Sequence, residues 1–119
     1  MKITTWNVNG YRAVLKKEFK ESIRLLDPDI LCLQETKARI DQLNPGEEQL
    51  EGYQVIWNAA ERPGYSGVAT YIRDGLILSG EPELAIGKPE ADSEGRTIRI
   101  MIGDLILYNI YFPNGQRGM

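Results

Sequence analysis

The stretch that decides the fold reads DILCLQE, residues 29–35. A short apolar run bounded by polar residues is typical of a buried β-strand. A second strand is predicted over KITTWN, residues 2–7, and a segment with helical periodicity separates the two. A strand, helix, strand order with a right-handed crossover makes the strands parallel, so both end at one edge of the sheet. Because ligands bind at that edge in open α/β sheets, Asn7 and Glu35 are candidate partners in one site.

The intervening segment is predicted to be an amphipathic helix over residues 11–26. Its apolar side chains recur at helical spacing with lysines and arginines between them. Asp27-Pro28 ends the helix, because proline disfavours helical conformation in the residue before it. Residues 36–52 are predicted to be a long connection with one helical turn near residues 47–50. Further strands are predicted over residues 53–58, 67–72, 76–84, 97–102 and 105–112, the last two as a hairpin.

Composition excludes several classes of protein. The chain has 119 residues, of which 42% are hydrophobic, and this suits one modest core rather than two domains. Without histidine it has neither a His-ligated zinc site nor a Ser-His-Asp triad. Cys32 is the only cysteine and has no partner for an internal disulfide. Since no apolar run is long enough to span a bilayer and no signal-peptide pattern is present, we expect a cytoplasmic protein without a membrane partner.

Charge is distributed unevenly along the chain. The net charge is −3, yet residues 1–26 carry six basic side chains against two acidic ones. A local basic edge beside an acidic metal site is one interpretation of this asymmetry. A solvated helix face is the other, and charge alone does not decide between them.

Glu35 and Asn7 are the candidate metal-site residues. Glu35 follows the apolar run and is predicted to share a strand face with Leu31 and Leu33, where its carboxylate must be solvated, paired or metal-bound. One carboxylate together with substrate phosphate oxygens can hold Mg²⁺, which keeps several waters. The alternative is a strand-end glutamate bonded to the backbone or to a lysine. Asn7 either orients Glu35 or contacts phosphate, or it caps the turn that follows its strand.

Three later features have the same ambiguity. The loops GYSG, residues 64–67, and PNGQRG, residues 113–118, can present backbone N–H groups and an arginine to phosphates. Such segments are also ordinary turns. Tyr111, at the end of the last strand, either turns its phenol toward the site as a hydrogen-bond donor or is a core aromatic with a locally satisfied hydroxyl.

Together these segments resemble the exonuclease III family of AP endonucleases, within the endonuclease/exonuclease/phosphatase superfamily. The resemblance implies a Mg²⁺- or Mn²⁺-dependent phosphodiesterase that cuts double-stranded DNA 5′ to abasic sites and trims 3′ ends. The matching blocks are WNVNGYRA (6–13), PDILCLQETK (28–37), GYSGVA (64–69), EGR (94–96) and YFPN (111–114).

The resemblance also implies roles for individual residues. Arg96, in the EGR block, is expected to anchor a loop rather than to contact substrate. The implied site residues are Glu35 and Asn7 for the metal, Tyr111 and Asn7 for catalysis, and Arg12, Ala13, Lys17, Tyr65, Asn114 and Arg117 for DNA binding.

The chain departs from the family in its length. It ends near the midpoint of a typical member, before the Gly-Asp-x-Asn segment that supplies the water-activating aspartate and before a later Asp-His pair. The resemblance therefore implies an α/β fold that is half of a four-layer sandwich, with one mixed sheet and an amphipathic helix on its outer face. Residues 1–119 are expected to form the amino-terminal half of the domain, and this fragment is expected to be inactive.

A truncated sandwich is expected to leave an apolar sheet face open. A homodimer or a domain-swapped oligomer would cover that face. The residues assigned to it are Ile3, Leu31, Leu33, Leu105 and Leu107.

Two other functions remain as alternatives. One is a non-catalytic DNA- or metal-binding half-domain, since the basic helix and Glu35 are both retained. The other is a phosphatase-type relative acting on small phosphoesters, which the GYSG and Pro113-Asn114 blocks disfavour.

Overall fold

A four-stranded mixed β-sheet forms the centre of the molecule. The structure, a computed structural model, describes residues 1–113. The main sheet has the strand order β1-β2-β4-β3, and β5 pairs with β6 in a separate two-stranded sheet. In chain order the elements are β1 (Ile3–Asn7), α1 (Tyr11–Leu15), α2 (Phe19–Leu26), β2 (Ile30–Gln34), a 3₁₀ helix (Ile40–Gln42), β3 (Tyr53–Asn58), β4 (Val68–Arg73), α3 (Pro89–Asp92), β5 (Thr97–Ile102) and β6 (Leu105–Ile110).

Strands β1 and β2 are parallel, which confirms the prediction from the strand, helix, strand order. Their register places Ile3 opposite Ile30 and Asn7 opposite Gln34. Strand β4 runs antiparallel to both β2 and β3, so the sheet is mixed, as predicted. Asn7 and the residue before Glu35 are therefore neighbours at one edge.

Helices α1 and α2 cover one face of this sheet. The single helix predicted over residues 11–26 is wrong, because the chain leaves helical conformation before Phe19, where Glu18 has ψ 44°. In a continuous helix Tyr11 and Phe19 would be rotated by about 80° from each other. The break lets both rings enter the same core, where their centroids lie 5.6 Å apart, edge to face.

The β5–β6 hairpin covers the other face of the main sheet. Its inward residues pack against side chains from β2 and β4. Cys32 lies in this layer with 4% of its surface exposed, and burial raises the pKa of its thiol to about 11. The predicted layered arrangement is therefore present within residues 1–113, with helices on one side of the sheet and a hairpin on the other.

The residues predicted to form one open apolar face do not share a face in the structure. Leu31 and Leu33 point toward the helices and are fully buried, whereas Leu105 and Leu107 pack in the hairpin layer with Ile30 and Cys32. Strand alternation explains the difference, because neighbouring residues of β2 lie on opposite faces.

The apolar surface that stays open lies on the outside of the hairpin. There Ile106 is 49% exposed and Tyr108 is 51% exposed. Ile3, on the edge strand β1, is 43% exposed.

Segment 76–84 contains no strand, which contradicts the prediction. Its sole β-contact is an isolated bridge between Glu83 and Arg99. Gly80 adopts φ +84° and Pro82 follows, so the run is interrupted, and Ile77 is left 79% exposed. The connection after Glu35 carries the 3₁₀ helix Ile40–Gln42 instead of the helical turn expected further on.

None of the helices described for residues 1–113 is long and apolar enough to cross a membrane.

Candidate functional site

Backbone hydrogen bonds bring the segments after β1 and β2 together. Gly10 N–H donates to the Glu35 carbonyl at 2.8 Å, and Tyr11 N–H donates to the Thr36 carbonyl at 2.8 Å. Val8 N–H donates to the Gln34 carbonyl at 3.0 Å. The two loops therefore run side by side beyond the strands and form one edge of the site.

Glu35 and Tyr111 meet at this edge although they are far apart in sequence. The Tyr111 phenol donates a 2.6 Å hydrogen bond to Glu35 Oε2. Tyr111 is held by its own backbone, because its N–H donates to the Arg96 carbonyl at 2.9 Å. Burial, together with the bond to the Glu35 carboxylate, raises the pKa of Tyr111 to about 12. The phenol is therefore a protonated donor at neutral pH.

The predicted direction of Glu35 is wrong. Its φ is +57°, so the strand alternation stops at Gln34 and the carboxylate reaches Tyr111 on the hairpin side. It does not share the face of Leu31 and Leu33, which belong to the helix-side core. Of the two arrangements left open for Tyr111, the structure has the one in which the phenol turns toward Glu35 as a hydrogen-bond donor.

Lys37 and Asn9 complete the polar edge, and the sequence analysis did not identify either. Lys37 Nζ lies 3.8 Å from Glu35 Oε1 and donates to Asn9 Oδ1 at 2.7 Å. Asn9 N–H in turn donates to Asn7 Oδ1 at 3.0 Å, so Asn7 caps the turn after β1. Capping is one of the three roles left open for Asn7, and its roles toward Glu35 and toward phosphate stay predictions. The signals available in sequence were the second asparagine of WNVNG and the lysine of QETK.

The potential metal ligands at this edge suit a hard cation that keeps several waters better than a cation bound entirely by protein side chains. Within residues 1–113 no group of three or more His, Cys, Asp or Glu side chains lies close enough to hold a metal ion. Glu35 provides a carboxylate, and Asn7 and Asn9 provide amide oxygens on the same edge. Oxygen donors of this kind are what Mg²⁺ accepts while keeping several waters. The residues present therefore fit an incomplete Mg²⁺ or Mn²⁺ site.

A basic groove of about 440 Å³ lies next to this edge. Arg12 and Ala13, both predicted to contact DNA, line it, while the predicted Lys17 lies exposed on the turn after α1 and does not line it. Lys16 and Lys37 contribute two further cations that the sequence analysis did not assign to DNA. Arg12 is anchored by a 3.4 Å bond from its guanidinium to the Lys37 carbonyl.

Tyr65 lies on the loop beside the groove and is 52% exposed. The Arg62 guanidinium stacks over its ring at 4.3 Å from the centroid, a contact that the sequence did not predict. Both residues line a second cavity of about 390 Å³ that reaches Ser66 and Tyr111. Asn114 and Arg117, also predicted to bind DNA, lie outside the described residues.

The EGR block has the structural role expected of it. A side chain at Gly95 would bring a Cβ to 2.4 Å from the Ala59 backbone, so glycine is required there. Arg96 Nε donates to Glu94 Oε1 at 2.9 Å, and the Arg96 carbonyl accepts the Tyr111 N–H. The block thus supports the loop that holds Tyr111.

Comparison with protein families matches residues 4–112 to the group described as the Endonuclease/Exonuclease/phosphatase family. The chain belongs to this family. The match covers both strand ends that build the site, and it includes Glu35 and Tyr111.

The curated relatives of the chain include DNA nucleases. An exodeoxyribonuclease of Bacillus subtilis (strain 168) is 39% identical over 120 residues, which cover 100% of this chain and 45% of the relative. The DNA repair nuclease APEX1 of Danio rerio is 42% identical over 124 residues, covering 100% of this chain and 38% of the relative. The chain thus spans less than half the length of these relatives. The resemblance to the exonuclease III type of AP endonuclease is confirmed.

Solved structures agree with this placement. The 3′-5′ exonuclease NExo of Neisseria meningitidis superimposes with a TM-score of 0.77 at 30% identity, covering 97% of this chain and 43% of that one. The AP endonuclease LMAP of Leishmania major gives 0.76 at 30% identity, covering 96% and 40%. The predicted fold class, a partial α/β sandwich with a mixed sheet, is therefore confirmed.

Proposed function

We propose that this chain is the amino-terminal half of the catalytic domain of a divalent-metal-dependent DNA repair nuclease. The reaction is hydrolysis of phosphodiester bonds, as in an AP endonuclease or a 3′-5′ exodeoxyribonuclease. The substrate is double-stranded DNA with abasic sites. The observation that carries the proposal is the 2.6 Å hydrogen bond between Tyr111 and Glu35, because it joins a candidate phosphate donor to a candidate metal carboxylate.

Glu35, with Asn7 beside it, would hold Mg²⁺ or Mn²⁺. When bound, such a cation neutralises charge that develops on the phosphate during hydrolysis. Lys37 lies 3.8 Å from the same carboxylate and keeps it paired in the structure described here. Tyr111 supplies a neutral hydroxyl donor that can turn from Glu35 to a phosphate oxygen.

The basic groove would hold the DNA backbone next to the reacting phosphate. Arg12, Lys16 and Lys37 provide three cations around one cavity, and phosphate contacts of this kind position DNA without reading its sequence. Tyr65 projects from the rim with about half of its surface exposed, where it can contact the sugar or a base. DNA binding by a relative supports this assignment, since the 3′ phosphatase NExo from Neisseria has been solved bound to a product DNA hairpin.

Besides Glu35, the described edge of the site consists of Asn7, Asn9, Lys37 and Tyr111, none of which is a carboxylate or an imidazole that could activate water. The chain has no histidine, and Glu35 is already assigned to the cation. General-base catalysis contributes on the order of 10²–10⁴ in rate. We therefore expect the 119-residue chain to cleave abasic DNA at least that much more slowly than a complete family member.

Incubation of the chain with an end-labelled abasic duplex and Mg²⁺ tests this expectation. A complete family member serves as the positive control, and the Glu35→Gln variant of this chain corrects for contaminating nuclease. Cleavage at a rate near that of the complete enzyme, lost in Glu35→Gln, would show that this half carries the whole mechanism. Inositol phosphates assayed in parallel separate the nuclease from a phosphatase that acts on small phosphoesters.

A non-catalytic DNA-binding half-domain is the second candidate, and the groove favours it. It predicts salt-dependent binding to a duplex without cleavage, because each phosphate contact releases a counterion. Arg12→Ala should weaken this binding and reduce its salt dependence. Arg24→Ala is the matched control, because Arg24 lies on α2 outside the groove and is paired with Glu21.

We also propose that the isolated chain self-associates through the outer face of its hairpin. The exposed side chains Ile106 and Tyr108 on β6 support this proposal. The cytoplasmic location expected from the sequence stays a prediction.

A further inference from the structure

The three residues Glu35, Thr36 and Lys37 form an unusual turn at the end of β2. Glu35 and Lys37 have φ values of +57° and +56°, and both lie in the left-handed region. Residues with a Cβ rarely adopt this conformation, and it persists only where surrounding contacts impose it. Thr36, between them, is completely buried. Whatever holds this turn therefore also determines where the Glu35 carboxylate points.

Contacts with the loop before β4 hold the turn on one side. Thr36 N–H donates to the Gly67 carbonyl at 3.1 Å, and Lys37 N–H donates to the Ser66 carbonyl at 2.8 Å. On the other side, the Thr36 carbonyl accepts the Tyr11 N–H at 2.8 Å. The turn is therefore fixed between two loops from distant parts of the sequence, and Thr36 is bonded to both.

Thr36 and Gly67 fit each other closely. A Cβ built on Gly67 would lie 2.3 Å from Thr36 Oγ1, a distance that real Cβ atoms do not reach. Within residues 1–113 the Thr36 hydroxyl is buried without a hydrogen-bond partner, so its contribution is the space it fills. Gly67 itself has φ +92°, which glycine adopts at little cost.

We propose that Thr36 and Gly67 are a positioning pair that holds the Glu35 carboxylate against Tyr111 for metal binding. The absence of a side chain at Gly67 lets Thr36 enter the loop, and the buried Thr36 forces the left-handed turn at Glu35. Neither residue contacts the metal or the phosphate. The inference rests on the proposed function, because it assigns to Glu35 the role of metal ligand.

The test compares two glycine substitutions with similar backbone strain. Gly67→Ala introduces a methyl group against Thr36. Gly75→Ala is the matched control, because Gly75 has φ +101° but no atom lies within 4 Å of its built Cβ. The readouts are the NMR resonances of Glu35 and Tyr111 in metal-free protein, the Mn²⁺ dissociation constant from electron paramagnetic resonance, and the melting temperature.

We expect both variants to lower the melting temperature, because both force alanine into a left-handed conformation. Only Gly67→Ala should shift the Glu35 and Tyr111 resonances and weaken Mn²⁺ binding, by roughly 10–100-fold, as is typical when a residue that orients a metal ligand is lost. The double variant Thr36→Ala/Gly67→Ala should relieve the clash and recover part of the melting temperature but not the Mn²⁺ affinity, because it also removes the threonine that holds the turn.

Unmoved Glu35 and Tyr111 resonances in Gly67→Ala, with Mn²⁺ affinity equal to that of Gly75→Ala, would overturn the proposal. If Gly67→Ala does not fold, Thr36→Ala decides by the same resonances, which must move if the threonine holds the turn. If wild-type Mn²⁺ binding is insensitive to Glu35→Gln, the proposed metal site fails. The metal-free resonances still test the positioning pair in that case.

Discussion

At the scale of single residues, the hydrogen bond between Tyr111 and Glu35 joins the end of the hairpin to the end of β2. A phenol that donates to a carboxylate resists losing its proton, and burial strengthens this resistance. The pKa of Tyr111 is accordingly raised to about 12. The same bond keeps the carboxylate partly satisfied and holds the phenol in place.

The raised pKa predicts a loss of stability at high pH. Because folded protein retains this proton to a higher pH than unfolded protein, the contribution of Tyr111 is fully present below about pH 10 and is lost as pH rises through about 12. Tyr111→Phe should reduce the fall in unfolding free energy over this window, measured by urea denaturation. Tyr65→Phe, at an exposed ring, is the control and should leave the fall unchanged. Equal slopes for the Tyr111 variant and wild type would contradict the assignment.

The sequence was sufficient to predict that Glu35 and Tyr111 lie at the ends of strands but not the direction of Glu35. Both residues follow strands whose apolar patterns are clear, so their placement at strand ends was predictable. The left-handed φ of Glu35 depends on Ser66 and Gly67, which lie about 30 residues later in the chain. Local pattern carries no information on such a contact, and Lys37 and Asn9 were missed for the same reason.

At the scale of elements, one buried asparagine on β6 forms hydrogen bonds with the main sheet. Asn109 is 3% exposed, and its Nδ2 donates to the Ala69 carbonyl at 2.9 Å. Its Oδ1 accepts a 2.9 Å bond from Gln34 Nε2, next to Glu35 in sequence. Tyr111 follows Asn109 by two residues. The hydrogen bonds of Asn109 therefore help to determine the position of the Tyr111 phenol.

Asn109→Leu should therefore destabilise the fold by about 1–3 kcal/mol, the cost of leaving buried polar partners unsatisfied. The measurement is the urea midpoint with an unchanged m-value. Asn44→Leu, on an exposed loop, is the control and should change stability by at most about 0.5 kcal/mol. A neutral Asn109→Leu would mean that apolar packing alone attaches the hairpin.

Element boundaries were predicted where the pattern is strong and missed where packing decides. Strands β3 and β5 have the predicted bounds, because alternating and β-branched residues mark them. The break between α1 and α2 follows from the need to bury both Tyr11 and Phe19, which helical periodicity does not record. Segment 76–84 is apolar enough for a strand and touches β5 at Ser79 and Glu83, but the turn at Gly80 and Pro82 interrupts continuous pairing.

At the scale of the whole molecule, the outer face of the hairpin carries exposed apolar side chains, and two strand edges have no partner within residues 1–113. Strand β1 is an edge of the main sheet, and β6 pairs with β5 alone. Edges of this kind are templates for pairing with another chain. The sequence predicted an open apolar face but assigned it to the wrong residues. The sequence pattern does not show which layer packs on each face of β2, so the open face could not be assigned correctly.

We expect the isolated chain to form dimers or larger species at micromolar concentration, measured by light scattering coupled to size exclusion. Ile106→Lys should shift the population toward monomer, because it places a charge in the proposed contact. Ile77→Lys is the control at an isoleucine that is more exposed, 79%, but lies outside the hairpin. A wild-type chain that is monomeric and binds no hydrophobic dye would contradict the proposal.

The central claim, that this chain has a metal site on Glu35, is tested most directly by a Mn²⁺ titration followed by NMR. Paramagnetic broadening should centre on Glu35 and its neighbours Asn7, Asn9 and Tyr111. Binding should be weak, because a single carboxylate supplies little of the coordination shell. The broadening should disappear in Glu35→Gln and persist in Glu51→Gln, because Glu51 is an exposed glutamate in the turn before β3. Broadening that is unchanged in Glu35→Gln, or that centres on another acidic segment, would contradict the account.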